Sequence, residues 1–354
     1  MEDLQGAVAA MEYCYAQGWS DGLPVIPPTA ARVAECLATT SLSPDSVLYH
    51  MAHLGRSVTV ELLAVNAVLA GCRPEYFPVV LAAFQAVIDE GSPAIGAWQS
   101  TTGGAPLLVV NGPVRHRLGF NAGGNVLGPG FRANATVGRA IRLTILNALG
   151  IRPHDLDQST QGTAAKWTLC IAENEEESPF EPLHVELGFA AATSVVSALH
   201  IRSVDFLDNR HSQRPEQLLN DLADTAARSG VMRRHRNCTA ILLSPEHARW
   251  LSDHGYTKAA IKAYLVEHAG RRYRELQRVG KDAVELPLGF SRPSTPAERI
   301  GRDDSELVRP FASPDQVLIV VAGAANAGVS AVAQPFSTRW RKVPGRAQVV
   351  ERGR

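Results

Sequence analysis

Leu107-Leu-Val-Val-Asn-Gly-Pro113 and, a few residues on, Asn121-Ala-Gly-Gly-Asn-Val-Leu-Gly-Pro-Gly-Phe-Arg-Ala-Asn-Ala-Thr136 decide the fold class. Leu107 to Val110 is a short apolar run ending in two β-branched residues, which predicts a buried strand. Thr136 to Leu149 carries Ile141, Ile145 and Leu149 at four-residue spacing, which predicts a helix. Between them the chain is punctuated by glycine, eight times from Gly103 to Gly130. Strand, glycine-rich loop and helix start, in that order, make an anion cradle, because unpaired amides and the positive end of the helix dipole point the same way. Asn111, Gly123, Gly124, Asn125, Gly130, Arg132 and Asn134 are therefore the candidate substrate-binding residues here, with Arg139 able to supplement them. The alternative is a surface loop whose glycines only satisfy turn geometry. The pattern is neither G-x-G-x-x-G nor a Walker loop, so the chain has no nucleotide-cofactor fingerprint.

Toward the N-terminus, Ser57 to Ala70 and Glu75 to Glu90 read as two apolar helices separated by Gly71-Cys-Arg-Pro74, a helical hairpin. Cys72 sits between that cap and the next helix start, where Arg73 and a dipole would lower its pKa and make it a catalytic candidate. A small buried hydrophobe is the other reading. Leu4 to Trp19 reads as a helix, and Gly22-Leu-Pro-Val-Ile-Pro-Pro-Thr29 as a stiff extended connector, since three prolines remove donors. Asp21 begins this connector as a turn cap or a fixed ligand contact.

Toward the C-terminus, Trp167 to Ala172 reads as a strand that runs directly into Glu173-Asn-Glu-Glu-Glu177. An extended chain would send Glu173, Glu175 and Glu177 to one side and Asn174 and Glu176 to the other. Clustered carboxylates serve as acid and base, so Glu173, Glu175 and Glu176 are catalytic candidates. Glu173 and Glu175 with His184 form a candidate divalent-metal set, although the cofactor requirement stays open. A solvated acidic turn is the bland alternative. Strands at Ser203 to Leu207 and Thr239 to Leu243 flank a helix at Pro215 to Ser229, the order of a βαβ unit. Ser244 and Thr257 each begin a further helix, and Val317 to Val321 is a last strand before the small-residue loop Ala322 to Gly328.

These signals predict an α/β protein: a mixed sheet with helices, an N-terminal helical hairpin and a Gly-rich loop. Residues 1–190 would form one region, 191–345 a second, and 346–354 a basic tail continuing Arg339, Arg341, Lys342 and Arg346. If the strand at Val317 pairs back with the first region, the two halves are interwoven. Thirty-five basic and thirty-five acidic residues cancel, so no global field recruits nucleic acid or an anionic membrane. Five cysteines without C-x-x-C spacing, and a start without a basic leader, fit a reducing cytoplasm. Val317 to Phe336 has the length of a membrane span, but Asn326, Ser330 and Gln334 make it read as strand and loop.

Trp19-Ser-Asp-Gly-Leu-Pro-Val-Ile-Pro-Pro-Thr29, Ala70-Gly-Cys-Arg-Pro-Glu-Tyr-Phe-Pro-Val-Val80, Val110-Asn-Gly-Pro113, Gly128-Pro-Gly-Phe-Arg-Ala-Asn-Ala-Thr136 and Ala172-Glu-Asn-Glu-Glu-Glu-Ser-Pro179 resemble a bacterial family over most of residues 15 to 190. Its members occur beside, or fused to, small UGSC proteins, which carry a Cys-Gly-Ser-Cys or selenocysteine-Gly-Ser-Cys motif. The resemblance implies a UGSC-like thiol or selenol partner. Two departures stand out: Gly103 follows Thr101-Thr102 where that pattern has His, and Gly323 to Ser330 replaces a Gly-Gly-x-Gly-Lys-His-Ser type loop.

Two functional expectations follow. One is a lyase-type enzyme for a small anionic metabolite, working by carboxylate acid/base chemistry with or without a metal. The other is a non-catalytic, substrate-presenting subunit of a UGSC-like redox protein. A homo-oligomer is compatible with either, and neither involves nucleic acid or a membrane.

Overall fold

Short apolar, mostly β-branched runs make the core strands of this protein, and Thr29, Thr59, Ser244 and Thr257 cap four of its helices. The structure is a computed structural model that describes residues 2–88, 98–228, 238–281, 303–336 and 347–349. It is an α/β fold divided into two compact units, the first comprising Met1–Glu173, His184–Leu199 and Pro344–Arg354, the second Asn174–Leu183 and His200–Val343. A single cut near residue 190 therefore does not describe the chain, which passes from one unit to the other several times.

In the first unit α1 (Glu2–Ala16) precedes the three-proline connector, and α2 (Ala30–Leu37) is capped by the Thr29 hydroxyl. An antiparallel hairpin follows, β1 (Val47–Met51) and β2 (Arg56–Thr59). The helix expected from Ser57 thus begins later, as α3 (Val60–Ala70), because Thr59 accepts from Leu62 N–H and fixes the N-cap. Gly71 closes α3 in the left-handed region and α4 (Phe77–Ile88) completes the hairpin. Then come β3 (Ala105–Asn111), the short α5 (Val114–Leu118), α6 (Arg132–Asn147) and β4 (Cys170–Ala172). β3 and β4 are parallel, with Leu108 opposite Cys170 and Val110 opposite Ala172. The strand expected from Trp167 is shorter than its apolar run, since Ala164–Lys166 is a 3-10 turn that turns Trp167 outward. After the single turn α7 (Leu183–Glu186), β5 (Val195–Asp208) lies beside β3 and leaves the unit after Leu199. Leu63, Phe77, Phe84 and Ile141 anchor this unit's core.

The second unit takes the rest of β5, then α8 (Pro215–Ala227), β6 (Thr239–Leu243), α9 (Pro245–Asp253) and α10 (Lys258–His268). A small antiparallel pair, β7 (Arg271–Arg272) and β8 (Leu307–Val308), brackets α11 (Tyr273–Arg278), and β9 (Val317–Val321) and β10 (Val329–Pro335) follow. The strand order is β5-β10-β6-β9, with β10 antiparallel to both neighbours and β9 parallel to β6. One expectation is corrected here. The βαβ strands are not adjacent, because β10 inserts between them. For β9, whose partner the sequence left open, the neighbour is β6. Leu218, Leu222, Ile241 and Ile319 fill a separate core. Val317 to Phe336 is strand, loop and strand, and among the described residues no helix is long and apolar enough to cross a membrane. β11 (Ala347–Val349) returns to pair with Val195–Ser197 of β5. The tail residues Arg339, Arg341, Lys342, Arg346, Arg352 and Arg354 lie outside the described residues.

Candidate functional site

Parallel pairing of β3 and β4 places their carboxyl ends together, where open α/β sheets collect functional groups. Asn111 and Glu173, each the residue at or just past its strand end, meet there: Asn111 Nδ2 donates to Glu173 Oε2 at 2.6 Å. Arg115 donates to the Glu173 carbonyl at 2.7 Å and to the Gly112 carbonyl at 3.1 Å. Asn111, Arg115, Glu173 and His184 are all buried, and His184 Nε2 donates to the Ala191 carbonyl at 3.3 Å. Gly112 makes this corner possible, since its φ is +79° and a Cβ there would lie 2.3 Å from the Thr193 carbonyl oxygen.

The other expected site residues divide by what holds them. Asn134 is a crosslink: its amide receives Asn121 N–H at 2.8 Å and donates to the carbonyls of Asn121 and Cys170. Asn121 in turn receives Gly123 N–H and donates to the Gly124 carbonyl, and Asn125, at φ +59°, donates to the Pro129 carbonyl. The loop through Gly130 is thus ordered by its own amides. Arg132 turns away to donate to the Gly71 carbonyl at 2.9 Å. Asp21 forms a bidentate pair with Arg139 at 2.7 and 2.8 Å, and Arg139 also holds the Leu23 and Pro24 carbonyls, fixing the connector.

Three expectations change. Burial pushes the Cys72 thiol up to about 12, and the Thr136 hydrogen bond and the charges of Arg132 and Arg139 offset only part of this. That is the reverse of an activated nucleophile. The acidic run is not extended, because Glu175 to Glu177 form a turn closed by Glu177 N–H to Asn174 Oδ1 at 3.3 Å, so the side chains do not alternate. Glu175 and Glu176 belong to the second unit and Glu173 to the first, and Glu176 is exposed. Finally, no group of three His, Cys, Asp or Glu side chains among the described residues could hold a metal, so Glu173, Glu175 and His184 do not form an ion site.

A cavity of about 590 Å³ in the first unit gathers, with Asp21, residues that the sequence reading passed over. Its walls are the segment from Pro153 to Ala164, Asp21, Arg142 and Leu146 from α6, and Lys166 and Trp167. Asp157 is buried and carries two cations, Lys166 Nζ at 2.7 Å and Arg142 Nη2 at 3.0 Å. Lys166 also donates to the Ser159 hydroxyl at 2.6 Å, and that hydroxyl donates to Asp157. Burial alone would raise the Asp157 carboxyl, but bonds from Lys166 and Ser159 and both positive charges hold it below the usual carboxylate value. Burial lowers Lys166, Asp157 restores part of the loss, and Arg142 lowers it again. Counting Arg139, which neutralises Asp21, three cations face two carboxylates, which leaves one positive charge over. A volume of this size suits a small metabolite.

Tight backbone contact holds the cavity loop. Thr160 N–H donates to the Thr101 carbonyl at 3.0 Å. At Gly103, φ is +72° and a Cβ would stand 2.7 Å from Gly162 Cα and 2.9 Å from Gly162 N. A side chain has no room at this position, so the loop packing requires glycine there. Comparison with protein-family models, with curated proteins and with solved structures gives no match to this chain.

Proposed function

We propose that the chain is a lyase-type enzyme for a small anionic metabolite, with the cavity of the first unit as its active site and Lys166 as its acid/base group. One observation carries the reading: a lysine with a lowered pKa, held by Asp157 and Ser159, on the wall of a cavity of about 590 Å³. Acid/base catalysis is most efficient when the group titrates near the working pH, and burial moves lysine that way. In its neutral form Lys166 takes the proton beside the substrate's carboxylate, and Asp157 stabilises the ammonium that results. Arg142 and the Lys166 ammonium so formed offset the negative charge that develops on the substrate. Glu173, Glu175 and Glu176, the carboxylates that the sequence offers for this work, do not line the cavity.

The test is turnover of a panel of small hydroxy acids and unsaturated acids, followed by NMR in D2O with the full chain. Lys166→Arg keeps a charge opposite Asp157 but stays protonated at any working pH. It should lower turnover by about 10²- to 10⁴-fold while the thermal melt stays cooperative. Wild-type rates in Lys166→Arg, or no turnover of any panel member by the wild type, overturn the reading.

A further inference from the structure

We infer that His154 is a second ligand-contacting residue of this cavity and that the site is built for a dicarboxylate; this rests on the cavity being the active site. The observation is a backbone one. His154 has φ +68°, in the left-handed region, and few other described non-glycine residues share it. Arg152, Pro153, His154 and Asp155 form a turn closed by Asp155 N–H to the Arg152 carbonyl at 3.2 Å, with Asp157 N–H reaching the same carbonyl at 2.9 Å. Proline in the second position and a left-handed residue in the third is the type II arrangement, whose third position is suited to glycine. A histidine there costs stability that glycine would not, and such outliers cluster where function requires a side chain.

His154 lines the cavity and is exposed rather than packed, so core packing does not account for it. The turn also leads directly into Asp157, whose N–H it captures, so the same few residues set both the histidine and the carboxylate that positions Lys166. The cavity therefore offers two separate donor groups to an anion. Lys166 and Arg142 sit together around Asp157, and His154 stands on its own turn. A monocarboxylate uses one of these, whereas a dicarboxylate engages both.

Calorimetric titration of the full chain with succinate and with butyrate, equal in length and different in charge, reads this directly. The wild type should bind succinate about tenfold or more tightly than butyrate, the difference expected of one charge-assisted hydrogen bond. His154→Gln should reduce that preference to about twofold or less, with butyrate affinity unchanged. His154→Gly should do the same and also raise the melting temperature, because the strain is relieved. If succinate binds the wild type, Lys166→Gln abolishes binding and His154→Gln keeps the preference, the inference fails and the active-site reading stands. If the wild type binds neither acid, both fail.

Discussion

Asp157 serves two cations with one carboxylate, and its protonation state decides what Lys166 can do. Its pKa lies below the usual value in the folded protein, so it contributes stability that is present above about pH 4 and is lost as pH falls through the lower folded value. Asp157→Asn leaves Lys166 and Arg142 without their counter-charge, which should cost about 2 kcal/mol at neutral pH, less than for a fully buried pair because both cations are partly solvated. Melting temperatures of wild type and variant, measured from neutral to acid pH, should converge at the acid end; a constant gap would mean that the carboxylate charge is not the source. The residues of this cluster were not legible in the sequence. Asp157, Ser159 and Lys166 follow neither helical nor strand periodicity, and they meet only because a turn and a 3-10 segment fold them together. Asn111 and Glu173 were legible, since each stands at or just past the end of an apolar run and parallel pairing places them side by side.

At the scale of elements, Gly138 brings α6 against the segment that leads into β4. A Cβ there would stand 2.4 Å from Thr168 Oγ1 and 3.0 Å from Leu169 N, just before the strand begins at Cys170, so helix and segment approach through a missing side chain. On an exposed helix, glycine to alanine stabilises by about 1 kcal/mol. Here the sign should reverse: Gly138→Ala should lose about 1–3 kcal/mol in urea unfolding, because the helix must move off that segment. A more stable variant would refute the close approach. The same helix shows why sequence reading placed elements better than their ends. Ile141, Ile145 and Leu149 announced it, but its start at Arg132 depends on Asn134 bonding Asn121 and Cys170, contacts distant in sequence. The run Trp167 to Ala172 was read as one strand because apolar continuity does not distinguish a strand from a 3-10 turn that ends in an exposed tryptophan.

For the whole molecule, the decisive fact is that a long strand belongs to two cores. β5 enters as buried Val195, Val196, Ala198 and Leu199 in the first unit and continues as the neighbour of β10 in the second. Sequence reading found only Ser203 to Leu207 of it, the part whose alternation is visible, and so put a boundary near residue 190. A fragment ending at residue 190 keeps β4 but lacks β5, the other neighbour of β3, leaving one edge of a hydrophobic strand open. Open apolar edges recruit other chains. Residues 1–190 expressed alone should therefore aggregate or melt without a cooperative transition, although they contain the whole 590 Å³ cavity and the Asp157 cluster. Extending the fragment to residue 208 restores the strand that covers β3 and should recover soluble protein. Circular dichroism melts of the two fragments make the comparison, and an equally cooperative melt for 1–190 would show that β5 is dispensable to the first unit. Because every residue assigned to the cavity precedes residue 190, loss of succinate binding in the shorter fragment alone would place β5 in the support of the site, through β3 and the buried corner at Gly112.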